Sequence, residues 1–307
     1  MDKSEEKRKR NVHGLVLLQK PTHCSSNDAL QSVKRLFQAK KAGHTGSLDP
    51  LASGLLVVCF GEATKVTGFL LDASKRYRVT AKLGEQTTTG DAEGALTAQK
   101  PVLDSHRDRL QDIVATFVGP SEQVPPMYSA IKHKGQRLYA LARKGIEVER
   151  EPRAVTIYAL TIIGQTEDTV SLDVCCSKGT YIRTLVEDIG HALGCGAHTI
   201  ALHRIGVGPF QDEGQFLTLE ALTALREQGQ EVLDDVLLPM EHALDGFADV
   251  QLSAQLAQSI QKGQAVQVAR APAQGLVRLF SVGAFLGIGK ILGDGRVAPK
   301  RLVNFFS

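Results

Sequence analysis

Long apolar runs are missing from this chain of 307 residues. No stretch approaches the roughly 18 apolar residues that a membrane-crossing helix needs, while 43% hydrophobic and 22% charged residues are ordinary globular proportions. The first apolar run, Gly14–Leu18, is too short for the core of a secretion signal. The ten residues MDKSEEKRKR, with five basic and three acidic side chains, therefore read as part of a disordered leader (1–11) on a cytoplasmic protein. Cysteine is sparse: Cys24, Cys59, Cys175, Cys176 and Cys195 are odd in number and lack CxxC spacing, which excludes a disulfide framework and implies reduced thiols. GxGxxG, Walker and GxSxG sequences are absent, so the common nucleotide, phosphoryl-transfer and serine-hydrolase readings fall away and a cofactor-free reaction is favoured. His191, Cys195 and His198 straddle a glycine-rich helix end without a fourth ligand at a recognised spacing, so no metal is expected. Internal repeats and low-complexity segments are lacking too.

What is present is a mixed series of elements over a length that suits about two domains. Ala29, Leu30, Val33, Leu36 and Phe37 share one helical face, with Ser25 or Ser26 as N-cap and Gly43 as a stop. LLVVCFG reads as a buried strand. In Lys75–Gly84, Tyr77, Val79, Ala81 and Leu83 alternate with Arg76, Arg78, Thr80 and Lys82, the pattern of a strand with one wet, basic face. Helices are expected near Glu62–Leu71, over Ser105–Phe117, around Arg137–Arg143 and over Gly179–Leu193. Strands are expected at Ala154–Ile163, Thr169–Cys176 and Ala197–Val207. This order is no regular βαβ array, so it predicts an α+β fold on a mixed, largely antiparallel central sheet with flanking helices. From about Phe247 a short helix (Leu252–Lys262) and strands at Gly275–Ser281 and Ala284–Leu292 predict a small C-terminal β-rich domain (248–307), joined near Met240–Phe247 to a first domain spanning 12–240.

Net charge is only +3 over the chain, too weak on its own to announce a nucleic-acid binder. Residues 124–153, however, carry seven basic side chains (Lys132, Lys134, Arg137, Arg143, Lys144, Arg150, Arg153) against Glu147, Glu149 and Glu151, a local surplus of 7 − 3 = +4. Such a surplus fits a segment that meets phosphates, or a solvated face. The loop GHTGSLDP (43–50) holds the one carboxylate whose surroundings suggest chemistry. Asp49 before Pro50 suits a helix N-cap with proline at the first helical position. It equally suits a nucleophile acting on a stacked base, with glycines that let a ligand approach, His44 upstream and the aromatic Tyr77 on a basic strand.

At this loop the chain resembles the TruB family of tRNA pseudouridine synthases. KAGHTGSLDPLASGLLVVCFGEATK (41–65) is similar to the family's G-H-x-G-[ST]-L-D-P-x-A-[ST]-G block with its G-E-A-T-K ending. Further blocks follow in family order: Lys20-Pro21 with Ser25-Ser26, Lys75-Arg76-Tyr77, TTTGDAEG (87–94), Met127-Tyr128-Ser129-Ala130, SKGTYIR (177–183) and GRVAP (295–299). The resemblance implies isomerisation of the T-loop uridine of tRNA (U55) to pseudouridine, without cofactor or metal, in the pseudouridine synthase fold. It makes Asp49 the catalytic aspartate, Arg183 the basic residue paired with it and Tyr77 the aromatic that stacks on the flipped-out uracil. A fixed positive charge beside a partly buried carboxylate favours its ionised form, which makes that pairing physically sensible. His44 would help displace the T-loop, Tyr181 and Leu202 would wall the pocket, and Lys20 would lie in the N-terminal block beside them. Residues 124–153 match the family's RNA-gripping insertion, and the last segment matches its small PUA-type RNA-binding domain.

The resemblance thus implies tRNA, through its T-arm, as partner and no obligate protein partner; a chaperone that refolds tRNA without chemistry is a competing reading, which the Asp49, Tyr77 and Arg183 set argues against as a sole role and leaves open as a second. A guide-RNA-dependent relative shares the Asp loop, but its larger terminal domain and basic extensions find no counterpart in this sequence. Three positions depart from the family pattern: His23 where glycine is usual, Thr88 where Asp is common and His203 where Arg is common. None is an expected catalytic position.

Overall fold

A computed structural model of the protein describes residues 9–304. The chain runs through β1 (Gly14–Lys20), α1 (Ser26–Leu36), β2 (Ala42–His44), β3 (Ser53–Phe60), α2 (Thr67–Asp72), β4 (Lys75–Leu83), β5 (Glu85–Thr87) and β6 (Leu96–Gln99). It continues with α3 (Asp104–Asp108), α4 (Leu110–Thr116), β7 (Gly119–Gln123), β8 (Lys132–His133), β9 (Gln136–Arg137), α5 (Leu138–Ala142), β10 (Arg153–Gln165) and β11 (Thr169–Cys176). Then come α6 (Ile182–Leu193), β12 (Ala197–Val207), α7 (Leu219–Gln228) and α8 (Gln230–Asp234). The last part comprises β13 (Ala248–Gln251), α9 (Ala254–Gln261), β14 (Gly275–Ser281), β15 (Ala284–Ile291) and β16 (Val297–Leu302). The expected α+β class holds. The main sheet follows the order β1-β3-β12-β4-β11-β10-β7, with β2 paired to β3, and is antiparallel except where β12 meets β3.

Strand character follows from which faces are covered. β3 is apolar from Gly54 onward because both its faces are buried there. Leu55, Val57 and Cys59 pack with Leu15 and Leu17 on one side, while Leu56, Val58 and Phe60 pack with Val16, Leu18 and the Ala29, Leu30 and Val33 stripe of α1 on the other. β4 and β11 alternate because only one face is covered: Val79, Ala81, Leu83, Val170, Leu172 and Val174 meet Ile182, Leu185 and Ile189 of α6. The opposite face is wet, as the alternation implies, but its charge is compensated. Arg76 pairs with Asp173 at 2.7 Å, Arg78 with Glu213 at 2.9 Å, and Lys82 with Asp168.

Several boundaries differ from expectation. The first helix stops at Leu36, not near Gly43, because Gln38 itself takes the left-handed conformation (φ 52), and Gly43 lies in β2. Ser25 is the N-cap, its hydroxyl accepting from the Asp28 amide at 3.1 Å. The helix expected over Ser105–Phe117 is two short ones, and α6 starts at Ile182 because Gly179 turns left-handed (φ 80) and Tyr181 is extended. Asp49 caps no helix: the chain bends at Pro50 and enters β3. Of the expected leader, residues 1–8 lie outside the described residues, while Arg10 is tied down by an ion pair to Asp234 and a bridge to Ala39.

The C-terminal β-rich unit is a four-stranded sheet, β13-β14-β15-β16, with its own small core around Ile260, Val277, Leu279 and Val297. The join at 240–247 is no open linker. Met240, Ala243 and Leu244 are buried in a cluster that also takes in Leu15, Leu17, Leu55 and Val57 from the main sheet and Phe285 and Ile288 from β15.

Candidate active site

The loop between β2 and β3 is pinned at several points, which leaves Asp49 projecting. The Thr45 amide donates to Val57 O at 3.1 Å, and the Ala52 amide donates to Asp49 O at 3.1 Å. The Ser26 hydroxyl at the start of α1 accepts from the Leu48 amide at 2.7 Å and donates to Leu48 O at 3.0 Å. Leu48 and Ala52 are buried in the α6-side core, so Asp49, next to Leu48, is held at the edge of that core with its side chain 41% exposed.

Arg183, in the first turn of α6, meets Asp49 from beneath. Its Nε lies 2.9 Å from Asp49 Oδ2, and its side chain is only 4% exposed. Nη1 donates to Thr89 O and Nη2 to Tyr128 O, each at 2.7 Å, and Nη1 lies 3.4 Å from Asp91 Oδ2. The guanidinium is thus fixed by two carbonyls and shared by two carboxylates. The Nε–H is not aligned on an acceptor, so the Asp49 contact is one of charge rather than of a directed hydrogen bond. Asp91 is buried in the turn 87–94, where it accepts from the Glu93 amide at 3.1 Å and from the Thr89 hydroxyl.

Tyr77 sits on β4 in register with Val174 on β11 and Arg204 on β12. Burial pushes its phenol pKa up, with the Arg204 charge opposing, so the hydroxyl is neutral at physiological pH. Tyr181 is likewise pushed up by burial, and its backbone is held by Gln123, whose Oε1 accepts from the Tyr181 amide at 3.0 Å. Lys20, at the end of β1, is fully buried and donates to Pro21 O at 2.7 Å and Cys24 O at 2.6 Å. Burial lowers its pKa while the Asp49 charge acts the other way. The fold therefore brings Asp49 against Arg183 and within electrostatic reach of Lys20, Tyr77 and Tyr181. Leu202 is a buried core side chain in the same cluster as Leu48 and in register with Val79. His44 ends β2. Its pKa is lowered by burial and then by Arg204, and its buried Nδ1 has no hydrogen-bond partner.

Sequence reasoning misses three residues. Asp91 lies inside the TTTGDAEG block with nothing to mark it out, Ser26 reads only as a helix cap, and Arg204 carries no signal of its own. His23 does take the left-handed conformation (φ 57) that explains a usual glycine there, and its amide donates to Pro50 O at 2.7 Å. His203 Nδ1 lies 2.8 Å from Ser53 Oγ and Nε2 lies 3.4 Å from Glu213. Among the described residues no three His, Cys, Asp or Glu side chains converge to hold a metal.

The signature described as TruB family pseudouridylate synthase (N-terminal domain) matches residues 34–182. That of the tRNA pseudouridylate synthase B C-terminal domain matches 183–245, and that described as pseudouridine synthase II TruB, C-terminal, matches 248–303. A relative from Nitrosococcus oceani named tRNA pseudouridine synthase B is 53% identical over 304 residues, 99% of this chain and 98% of that one. The chain belongs to the TruB family of pseudouridylate synthases. A relative of the same name from Vibrio cholerae is 51% identical over 305 residues, 96% of this chain and 97% of its own length. Among solved structures, a chain of a Cbf5-Nop10-Gar1 complex aligns with a TM-score of 0.72 and 25% identity over 96% of this chain and 85% of its own. The loop, the ion pair and the half-buried aromatic therefore belong to an enzyme of the pseudouridine synthase class. No helix among the described residues is long and apolar enough to cross a membrane.

Proposed function

We propose that this TruB-family enzyme converts the T-loop uridine of tRNA, U55, to pseudouridine in a cofactor-free reaction centred on Asp49, with no obligate protein partner. In that isomerisation the N1–C1′ bond breaks, the uracil turns, and a C5–C1′ bond forms. The hydrogen on C5 leaves as a proton and N1 gains one, so no oxidant or reductant is required. The observation that carries the reading is an accessible carboxylate backed by an inaccessible cation: Asp49 is 41% exposed and Arg183 4%. A carboxylate in this setting can approach the sugar or base while its charge is complemented from the protein side.

Tyr77 offers the uracil a neutral aromatic face, a contact typically worth about 1–3 kcal/mol and indifferent to base identity. Flipping the nucleotide out costs a few kcal/mol of stacking. His44 fills the vacated space, while Tyr181, Leu202 and Lys20 border the pocket that receives the base. The insertion at 124–153 supplies the phosphate contacts. Among the described residues only Arg150 of its seven cations is in an ion pair, with Glu147 at 3.3 Å, and Lys132, Lys134, Arg137, Arg143 and Lys144 are exposed. The β-rich unit, read as PUA-like, adds Lys290, Arg296, Lys300 and Arg301 toward the acceptor side.

The test uses unmodified tRNA carrying tritium at uridine C5, incubated with the purified protein alone. Release of tritium is expected, because only C-glycoside formation liberates that hydrogen. Asp49→Asn keeps the shape of the side chain and removes its charge. It is expected to bind tRNA normally and to lose turnover by about a thousandfold or more. Turnover close to wild type in that variant overturns the assignment of Asp49, and absence of release from the unaltered protein overturns the activity.

A further inference from the structure

Arg204 is the largest side chain that the fold buries completely, at 1% exposure. It lies on β12 between two neighbours, with Tyr77 of β4 on one side and Gly54 of β3 on the other. Gly54 has φ +99, and a Cβ there would stand 2.3 Å from Arg204 O, so only glycine lets β3 begin this close to β12. The guanidinium then reaches back across the loop that carries Asp49. Its Nε donates to Leu55 O at 2.7 Å and its Nη2 to Gly46 O at 3.0 Å. Gly46 lies in that loop and Leu55 near the start of the strand it runs into, with Asp49 between them in the chain. Tyr77, its cross-strand neighbour, lies within reach of the Arg204 charge, which opposes the rise that burial gives the phenol's pKa.

Among the described residues no carboxylate pairs with Arg204, although Arg183 close by is paired with both Asp49 and Asp91. Burying a cation without a counter-charge is costly, and a well-packed apolar side chain commonly serves stability better. What an apolar side chain cannot do is hold two backbone carbonyls at once. The fork of a guanidinium can, and a lysine ammonium, a point donor on a flexible stem, cannot reproduce that geometry.

The geometry points to Arg204 as a positioning residue for the isomerisation: a clamp that ties the Asp49 loop at Gly46 to the start of β3 at Leu55, from the position on β12 paired with Tyr77. Arg183 holds the carboxylate from the helix side, and Arg204 holds the backbone that carries it from the sheet side. The inference rests on the reading of Asp49 and Tyr77 as the residues that meet the nucleotide. Because Arg204 touches no reacting atom, its loss acts on the chemical step through loop position and leaves the phosphate-contacting surface alone.

Tritium release from unmodified tRNA, measured as separate kcat and KM, tests this with Arg204→Lys. The expected result is a kcat at least about tenfold lower with KM within about threefold of wild type and a cooperative melt retained. A kcat within about twofold of wild type overturns the clamp, as does a loss confined to KM. Should Arg204→Lys fail to give a cooperative melt, Gly46→Ala decides. Gly46 has φ +105, and a Cβ there would come no nearer than 3.8 Å to another atom, so this change twists the carbonyl that Arg204 holds without a clash. The same kcat-specific loss supports the clamp, and an unchanged kcat overturns it. Failure of the underlying reading looks different, because Asp49→Asn would then keep near-wild-type turnover, or the unaltered protein would release no tritium.

Discussion

At the scale of single residues, the site depends on one hydroxyl as much as on its charges. The Ser26 Oγ is buried and serves both the amide and the carbonyl of Leu48, one residue before Asp49. Ser26→Ala leaves both groups without that partner in a place water does not reach, which is expected to cost roughly 1–3 kcal/mol of stability. Because the freed segment carries the carboxylate, kcat is expected to fall several-fold as well. Urea unfolding together with tritium release checks both, and a variant with full kcat despite lost stability would mean that the loop is held adequately by its other bonds. Asp49 itself is legible in the sequence, since an acid among glycines, a histidine and a proline is unusual local chemistry. Arg204 and Asp91 are not. A buried arginine on a strand has the same letters around it as an exposed one, and its meaning comes from carbonyls of Gly46 and Leu55 that lie about 150 positions away in the chain.

At the scale of elements, legibility follows how many faces are buried. β11 and β12 match their expected ranges, and β4 falls one residue short of its own. In β4 and β11 a covered face and a wet face write a period of two into the chain. β1 contributes a run too short to stand out, though it is buried on both sides. β2, β7, α7 and α8 carry no periodic stripe strong enough to read. The insertion 124–153 is legible only as charge, and the structure gives that charge a form. Lys134 (φ 47) and Gly135 (φ 85) make the tight turn between β8 and β9, so Lys132, Lys134 and Arg137 stand together at an exposed hairpin. Three cations on one projection, without an ion-pair partner among the described residues, are the arrangement a phosphate backbone rewards. Changing all three to Glu is expected to weaken tRNA binding and to lower the slope of log affinity against log salt by about one unit for each phosphate left without a cation. Unchanged affinity at moderate salt would make the hairpin a solvated face.

At the scale of the whole molecule, the C-terminal unit is part of the enzyme's core rather than an appendage to it. Two kinds of contact join it to the main sheet. Polar ones run from β16 to the turn after β3, where Arg301 donates to Lys65 O at 2.9 Å, Lys65 donates to Leu302 O at 2.9 Å, and the Asn304 amide donates to Glu62 at 2.6 Å. A second set holds the join itself, as Arg278 of β14 pairs with Asp245 at 2.7 Å and Asp249 at 2.6 Å. Apolar contacts weigh more. Phe285 and Ile288 are buried in the cluster containing Leu15, Leu17, Leu55 and Val57, and Phe69 of α2 meets Phe247 edge-on at 5.6 Å. Composition and turn spacing suggest two units that could each bury a core, because a shared core leaves no mark on either segment alone. Removing everything after Ala248 takes away two large buried side chains from that cluster, at about 1.5–3 kcal/mol each. The sum, on the order of 3–6 kcal/mol, is comparable with the whole stability of many domains. The truncated protein is therefore expected to melt well below the full chain and to bind an apolar dye at the bared face of β1 and β3, in addition to any loss of tRNA affinity. Thermal melts and dye binding of both forms check this. A truncated protein that melts within a few degrees of the full chain, with no added dye binding, would show that the two units stand independently and that their shared cluster contributes little.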